Sequence, residues 1–278
     1  MIRRSFEALL LDLDGTLVDD RGDVGPRVTA SLRGAAQRGV RVMVVTGRSE
    51  RATHRVLEEL GLEGVAVVYN GAGVYCYRRR RLLEERQLPP PTLAAALAVA
   101  RRESYLTVLQ RAGAKFATAP RDDHEQAAIA HYEGLQLIAD GRLPTEGAIR
   151  VSLFSPRHPS SDAFCRELEE ALDQPCYTTH FPLRTLARHR ASPMNVVDVH
   201  PPCLGKAEAL RVLEEHYGIP PERVVAVGDG NNDVPMLERA GLGVAVANGM
   251  REAREAADRL IGSNDGDSLA ELVEELFP

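Results

Sequence analysis

The sequence predicts an α/β protein with a Rossmann-like parallel sheet core, helices on both faces of that sheet, and an inserted α+β cap domain. Two observations lead to this prediction. Short apolar strands alternate with amphipathic helices over residues 1–85 and again over residues 199–278, which is typical of parallel sheets with helical crossovers. Over residues 86–198 the pattern changes to a hairpin and separate strands and helices. We therefore expect one core domain, split in sequence, with a cap domain inserted into it.

Turn residues delimit the predicted elements of the first core segment. Pro26 suits the first turn of a helix and Gly39 follows its end, while Ser49 can cap a second helix that Gly61 terminates. The predicted strands cover residues 6–13, 40–45 and 65–69, and the predicted helices cover residues 26–38 and 49–60.

The second core segment continues this alternation, and the inserted segment follows a stiff proline run at residues 89–91. The second core segment has predicted helices at 206–217 and 235–240, strands at 224–227 and 243–247, and two further helices. The inserted segment has predicted helices at 92–103, 125–132 and 162–172, hairpin strands at 105–110 and 115–119, and strands at 149–154, 176–179 and 196–199.

Composition argues against several classes of function. The 278-residue chain has a net charge of −6, so it offers no basic surface for nucleic acid. Asp12 and Asp14 interrupt the first apolar stretch, which argues against a signal peptide, and no segment is long enough to span a membrane. The cysteines lie far apart in sequence, as expected for free thiols in the cytoplasm. Monomer and homodimer both remain open.

Two acidic residues, Asp12 and Asp14, directly follow the apolar run at residues 8–11. Side chains alternate along a strand, so these two carboxylates project to the same side. Like charges this close raise each other's proton affinity unless a cation neutralises them. The pair therefore predicts a divalent metal site in which one carboxylate serves as a reagent. Taken alone, an Asp-Gly pair after a strand also fits a simple turn.

Further polar residues fall at the ends of the other predicted core strands. Thr46 and Gly47 end the second strand, Asn70 ends the third, and residues 229–233 end the fourth. Ligands of open parallel sheets bind at the carboxyl ends of the strands, so we expect one patch. Its oxygen ligands suit Mg²⁺, and amides at helix starts suit phosphate. The predicted chemistry is phosphoryl transfer, in which one carboxylate attacks phosphorus and a second carboxyl group moves the proton.

Lysine is rare in this chain. Of the 34 basic residues, only Lys115 and Lys206 are lysines. A lysine presents a compact charge that suits a single phosphate oxygen, and the helix dipole disfavours a lysine at a helix start. Lys206 therefore becomes a candidate phosphate ligand, whereas Lys115 is interpreted as a solvated cap residue.

Four ordered motifs resemble those of haloacid dehalogenase-superfamily phosphatases. They read Asp12-Leu13-Asp14-Gly15-Thr16-Leu17, Val45-Thr46-Gly47-Arg48, Leu204-Gly205-Lys206-Ala207-Glu208-Ala209-Leu210 and Gly228-Asp229-Gly230-Asn231-Asn232-Asp233. The insertion between the second and third motifs is similar to the large α/β cap of the Cof-like branch, as is the segment Tyr69-Asn70-Gly71-Ala72. The resemblance covers essentially the whole chain. It departs from the family pattern at Ala207, where a glycine often follows the lysine.

The resemblance implies a role for each matched residue. Asp12 would be the nucleophile and a Mg²⁺ ligand, while Asp14 would be the general acid and base and would bind the metal through its backbone carbonyl. Asp229 would ligate Mg²⁺ directly, and Asp233 would support the metal through water. The implied substrate-binding residues are Leu13, Thr46, Gly47, Lys206 and Asn232.

Structural roles remain as alternatives for three of these residues. Thr46 also fits a helix entry, Lys206 a solvated cation, and Asp233 a helix cap. The arginine run at residues 78–81 is interpreted as a solvated hairpin, and the basic cap segment 180–190 is not assigned to the site.

The expected function is Mg²⁺-dependent hydrolysis of a small phosphorylated metabolite through an aspartyl-phosphate intermediate. Sugar phosphates are the first expected substrate class, and flavin mononucleotide or pyridoxal phosphate come next. One alternative is a phosphomutase or phosphotransferase that uses the same intermediate. Another is a non-catalytic metabolite-binding module, which would be expected to lack at least one of the four catalytic side chains. The sequence retains them all: Asp12, Asp14, Lys206 and Asp229.

Overall fold

The computed structural model describes residues 6–19, 21–130, 132–139 and 141–278. Backbone proximity divides the chain into a core unit, Met1–Glu84 with Leu204–Pro278, and an inserted unit, Glu85–Cys203. The second boundary lies a few residues beyond the 198/199 division expected from sequence, because the last strand of the inserted unit continues to His200. None of the helices in the described ranges is long and apolar enough to cross a membrane.

The elements of the core unit alternate between strands and helices at both ends of the chain. The first part contains β1 (Ala8–Leu11), α1 (Pro26–Gln37), β2 (Arg41–Val44), α2 (Glu50–Leu60), β3 (Ala66–Val68), β4 (Gly73–Cys76) and β5 (Arg81–Glu85). The inserted unit contains α3 (Pro90–Glu103), β6 (Leu106–Arg111), β7 (Ala114–Thr118), α4 (Asp123–Ile129), β8 (Leu135–Ile138), β9 (Arg150–Ser155), α5 (Ser161–Leu172), β10 (Tyr177–Pro182) and β11 (Asn195–His200). The second core part contains α6 (Glu208–Tyr217), β12 (Val224–Gly228), α7 (Val234–Leu237), β13 (Leu242–Val246), α8 (Arg251–Ala256), β14 (Arg259–Ile261) and α9 (Ser268–Leu276).

The core sheet has the strand order β14-β13-β12-β1-β2, and all neighbouring strands are parallel. Leu10 at its centre lies opposite Ala226 of β12 and Met43 of β2. Every residue of β1 is completely buried, as expected for a strand whose two faces are both covered. Apolar residues of α6 and α7 pack against one face, and α1 packs against β2 and α9. The carboxyl ends of β12, β1 and β2 therefore lie side by side.

Turn and cap residues act where the sequence predicts. Ser49 caps α2 by accepting a hydrogen bond from the Ala52 amide at 3.4 Å, and Gly61 ends that helix with a left-handed φ of 62°. A smaller sheet, β3-β4-β5, continues from the core sheet through a bridge between Val45 and Val67. The arginines at 78–81 are exposed around the turn between β4 and β5, which confirms the predicted solvated hairpin.

The inserted unit is built on a mixed sheet with the strand order β10-β11-β9-β6-β7-β8. Its neighbouring strands are antiparallel except β7 and β8, which are parallel. Leu109 and Val151 face a buried cluster shared with α3 and α5, while Val108 and Phe154 face a second cluster shared with α4. The unit thus has the predicted α+β character.

Besides β4 and β5, which flank the predicted hairpin, two strands were not predicted, and two predicted helices end early. The strands are β8 and β14, which are short and only partly buried, so neither shows the apolar run by which the buried strands are recognised. The helix predicted at 125–132 is α4, which ends at Ile129, and the helix predicted at 235–240 is α7, which ends at Leu237. His131, inside the predicted range, lies outside the described residues.

Candidate active site

The candidate site lies at the carboxyl ends of the core strands. Asp12 directly follows β1, and its amide donates to the Val227 carbonyl of β12 at 2.9 Å. Thr46 follows β2, and its amide donates to the Val67 carbonyl of β3 at 2.9 Å. Asp229 follows β12 directly. Parallel pairing thus brings residues far apart in sequence to one edge of the sheet.

Three acidic side chains form a compact cluster at this edge. Asp12, Asp229 and Asp233 each offer a carboxylate oxygen, and these oxygens lie within 4.8 Å of one another. Asp12 and Asp233 are buried, whereas Asp229 is partly exposed. Buried carboxylates at this density are unfavourable without a counter-charge. The donor set, hard oxygens at short mutual distance, fits a divalent cation such as Mg²⁺.

Neighbouring groups fix the orientation of each carboxylate in the cluster. Thr16 donates its hydroxyl to Oδ1 of Asp229 at 2.9 Å. Oδ2 of Asp233 accepts the amides of Asp229 at 3.1 Å and Gly230 at 2.8 Å. Gly15 has a φ of 82°, and a Cβ there would lie 2.5 Å from Oδ2 of Asp229. Because only glycine leaves this space, the Asp-Gly-Thr motif is adapted to the approach of Asp229.

Lys206 lies between two of these acids. Its Nζ donates to Oδ1 of Asp12 and, at 2.7 Å, to Oδ1 of Asp233. The side chain is 1% exposed, so the predicted alternative of a solvated cation is wrong. Burial alone would lower the pKa of Lys206, but attraction to Asp12 and Asp233 outweighs it and raises that pKa. The contacts with Asp12 and Asp233 therefore favour the charged form of Lys206 inside the site.

Burial and crowding also raise the pKa values of two of the acids, which disfavours their ionised forms. Burial raises the pKa of Asp12 well above its usual value; Lys206 opposes this shift, and Asp233 and Asp229 add to it. Burial and the charge of Asp233 raise the pKa of Asp229 to about 6. Both shifts describe the protein without a bound cation. A cation held between these carboxylates would favour their ionised forms.

A left-handed turn after β3 lines the site. Tyr69, Asn70 and Gly71 have φ values of 53°, 51° and 98°. This conformation costs about 1–2 kcal/mol per non-glycine residue, and it is a genuine outlier for a bulky tyrosine. Asn70 accepts a hydrogen bond at Oδ1 from Nδ2 of Asn232, at 3.0 Å. Two residues from different motifs are thereby joined.

The Thr46-Gly47 loop packs against this turn. The Thr46 hydroxyl accepts the amide of Arg48 at 3.1 Å, which leaves its own proton available for another acceptor. A Cβ on Gly47 would lie 3.1 Å from the carboxamide atoms of Asn70. Glycine at this position therefore allows the loop to approach Asn70 closely.

The Asp14 side chain is not part of the acid cluster and instead forms an ion pair with Arg48. Arg48 donates Nε to Oδ2 of Asp14 at 2.8 Å and Nη2 to Oδ1 at 2.5 Å, a bidentate pair. The Asp14 side chain is 43% exposed, so it is open to water and to a ligand. Each of these oxygens keeps a second lone-pair site that can accept a proton.

The structure limits the roles that Leu13 and Asp233, two further predicted site residues, can have. The Leu13 side chain is completely buried, so only its backbone is available to a substrate. The Asp233 carboxylate accepts the amides of Asp229 and Gly230 and makes no side-chain cap bond at the start of α7, so the predicted alternative of a cap for that helix is wrong. The predicted site residues omitted Arg48, and Asn70 was expected in the polar patch without a role of its own. Both stand in the quoted motifs, and their polar side chains next to Gly47 and Gly71 were the signal that could have identified them.

Comparisons with known proteins agree with this geometry. Residues 9–273 match the family of haloacid dehalogenase-like hydrolases. The chain is 26% identical to a 5-amino-6-(5-phospho-D-ribitylamino)uracil phosphatase of Bacillus subtilis, YitU, over 97% of both chains. It is 26% identical to the pyridoxal phosphate phosphatase YbhA of Escherichia coli, covering 95% of this chain and 96% of that one.

Solved structures show the same fold. A sugar phosphatase of haloacid dehalogenase subclass IIB superposes with a TM-score of 0.79 at 19% identity, covering 97% of this chain and 98% of that one. The predicted fold class and the predicted family resemblance are thus confirmed. The chain belongs to the haloacid dehalogenase-like hydrolase family and is one of its phosphatases.

Proposed function

We propose that the protein hydrolyses the phosphate monoester of a small sugar through an aspartyl-phosphate on Asp12. The observation that carries the mechanism is the buried lysine placed between Asp12 and Asp233, with Asp229 completing the acid cluster. An anionic phosphoryl group approaching Asp12 requires such fixed positive charge, because a carboxylate alone would repel it.

Mg²⁺ is the proposed cation of the acid cluster. Asp12 and Asp229 would hold it by their carboxylates and Asp14 by its backbone carbonyl, with Asp233 acting through water. When bound, the ion offsets negative charge on the phosphoryl oxygens.

The chain's own residues would then divide the reaction as follows. Lys206 favours the ionised form of Asp12 and orients it, so that the carboxylate attacks phosphorus and the leaving alkoxide departs on the opposite side. Thr46, the Gly47 amide, Lys206 and Asn232 would hold the phosphoryl oxygens. Asp14 would protonate the leaving alkoxide and afterwards accept a proton from the water that cleaves the intermediate.

The substitution Asp14→Asn tests the proton-transfer role of Asp14. An alkoxide leaves poorly without a proton, whereas a phenolate leaves without one, so we expect kcat/KM to fall at least about tenfold more for a sugar phosphate than for p-nitrophenyl phosphate. Steady-state rates on both substrates provide the measurement. Equal losses on both substrates would contradict a role of Asp14 as the acid.

Cation binding should depend on pH in a direction set by the raised pKa values. Because the pKa of Asp229 is about 6 in the folded protein and lower when unfolded, this acid stabilises the metal-free fold at low pH, and that stability is lost as pH rises through 6. A bound cation removes the repulsion, so Mg²⁺ should raise Tm more at about pH 8 than at about pH 5. Calorimetry with and without EDTA provides the measurement, and Asp229→Asn should reduce the difference. An equal increase in Tm at both pH values would contradict the assignment.

The sugar phosphate class is supported by the fold shared with a sugar phosphatase and by a relative named for a phosphorylated ribityl compound. A panel of sugar phosphates, flavin mononucleotide and pyridoxal phosphate, assayed for phosphate release with Mg²⁺, tests it. We expect a sugar phosphate to have the highest kcat/KM. A higher kcat/KM for flavin mononucleotide or pyridoxal phosphate would contradict the assignment of sugar phosphates as the substrate class.

A further inference from the structure

The left-handed turn at residues 69–71 is stabilised by contacts that have no role in the proposed hydrolytic mechanism. Tyr69 donates its hydroxyl to Oε2 of Glu50 at 2.5 Å, and both side chains are buried. The amide of Tyr69 donates to the Arg48 carbonyl at 2.9 Å, and the amide of Asn70 donates to the Thr46 carbonyl at 3.1 Å. Helix α2 and the Thr46-Gly47 loop therefore together stabilise a backbone conformation that tyrosine rarely adopts.

This turn contacts the segments of the other phosphate-binding motifs. Asn70 accepts from Asn232, and its carboxamide lies against Gly47. Gly71 packs on the segment that precedes the lysine: a Cβ there would lie 2.2 Å from the Gly205 carbonyl oxygen. One turn thus touches the segments that carry three proposed phosphoryl ligands, namely Gly47, Asn232 and Lys206.

We propose that Asn70 is a positioning residue, which the Tyr69–Glu50 hydrogen bond holds in a left-handed turn so that its carboxamide orients Asn232 and the Gly47 loop toward the phosphoryl group. This inference rests on the proposed phosphatase mechanism. Asparagine suits the position because it tolerates positive φ better than most residues and also offers an acceptor.

The test separates the side chain of Asn70 from the turn that holds it. Asn70→Gly keeps a residue that adopts positive φ freely but removes the carboxamide. Tyr69→Phe keeps the ring but removes the hydroxyl, while Glu50→Gln retains an oxygen that can accept it. Tyr75→Phe is the matched control, because Tyr75 is also buried and shares a hydrogen bond with His54 of the same helix, at 2.9 Å.

Two readouts distinguish positioning from a merely structural role. With Mg²⁺ present, the dissociation constant of inorganic phosphate is measured by calorimetry, and kcat and KM are measured with p-nitrophenyl phosphate. We expect Asn70→Gly and Tyr69→Phe each to weaken phosphate binding and to lower kcat/KM by about tenfold, with the loss appearing in KM as well as in kcat. Glu50→Gln and Tyr75→Phe should stay within about threefold of the parent protein.

The outcomes are distinguishable from a failure of the proposed function. If the parent protein neither binds phosphate nor releases it, the phosphatase mechanism fails and the positioning role fails with it. If the parent is active and Asn70→Gly matches it in phosphate affinity and kcat/KM, the positioning role alone is overturned. If Tyr69→Phe does not fold, the phosphate affinity and kcat/KM of Asn70→Gly still test the positioning role of Asn70. A loss in Tyr75→Phe equal to that in Tyr69→Phe would assign the effect to general packing and overturn the role of the Tyr69–Glu50 pair.

Discussion

Replacing Asp12 by asparagine should reduce turnover by at least about a thousandfold while leaving the fold intact. The amide has nearly the shape of the carboxylate, but it cannot attack phosphorus to form an acyl-phosphate. The neutral amide also removes one of three crowded acids, and Lys206 keeps its second partner, Asp233. We therefore expect Tm to change little. Phosphate release from p-nitrophenyl phosphate, together with calorimetry, provides the measurement.

Asp265→Asn is the matched control for this substitution. Asp265 is exposed and lies outside the site, so the same chemical change there should leave kcat/KM within about twofold. Retention of more than about a tenth of the parent activity in Asp12→Asn would contradict the assignment of Asp12 as nucleophile.

Replacing Lys206 by methionine should lower both activity and stability. Methionine fills a similar volume but leaves Asp12 and Asp233 buried without their shared partner. Breaking a buried ion pair on one side costs about 3–5 kcal/mol, and bound Mg²⁺ should restore part of this loss. Without the positive charge of Lys206 to stabilise the phosphoryl oxygens, kcat/KM should fall by about a hundredfold or more.

The other lysine of the chain offers a natural control. Lys115 lies in the inserted unit, with its Nζ 5.5 Å from the Tyr132 ring centroid, and Lys115→Met should change the free energy of unfolding by at most about 1 kcal/mol. Denaturant unfolding in EDTA and in Mg²⁺, together with kcat/KM, provides the measurements. A Lys206→Met protein as stable as the Lys115→Met protein in EDTA would contradict the buried ion-pair description.

The fold and the acid cluster could be predicted from sequence because both depend on local patterns. Apolar runs that end in Asp12, Thr46 and Asp229 mark buried parallel strands, and parallel pairing then brings their carboxyl ends together. The arrangement around Asp14 could not be predicted in the same way. Its bidentate ion pair with Arg48 joins residues at the ends of two different strands. The sequence spacing of these residues does not indicate which carboxylate the Arg48 guanidinium binds.

The backbone conformation of the turn at Asn70 is a second feature that could not be predicted from the sequence. Asparagine followed by glycine indicates a turn, but a preceding tyrosine argues against positive φ. The conformation is stabilised by Glu50 from a separate helix and by the backbone of the Thr46-Gly47 loop. Tertiary contacts thus override a local preference at the edge of the site, where such exceptions are expected.

Trapping the phosphorylated enzyme tests the central claim, nucleophilic attack by Asp12, most directly. Asp14→Asn should still accept the phosphoryl group from p-nitrophenyl phosphate, but should hydrolyse the intermediate slowly. We predict a burst of one p-nitrophenolate per enzyme molecule, a mass increase of one phosphoryl group in the quenched protein, and its location on Asp12. Steady turnover by this variant with neither a burst nor a phosphorylated residue, or with the phosphoryl group on another side chain, would contradict the mechanism.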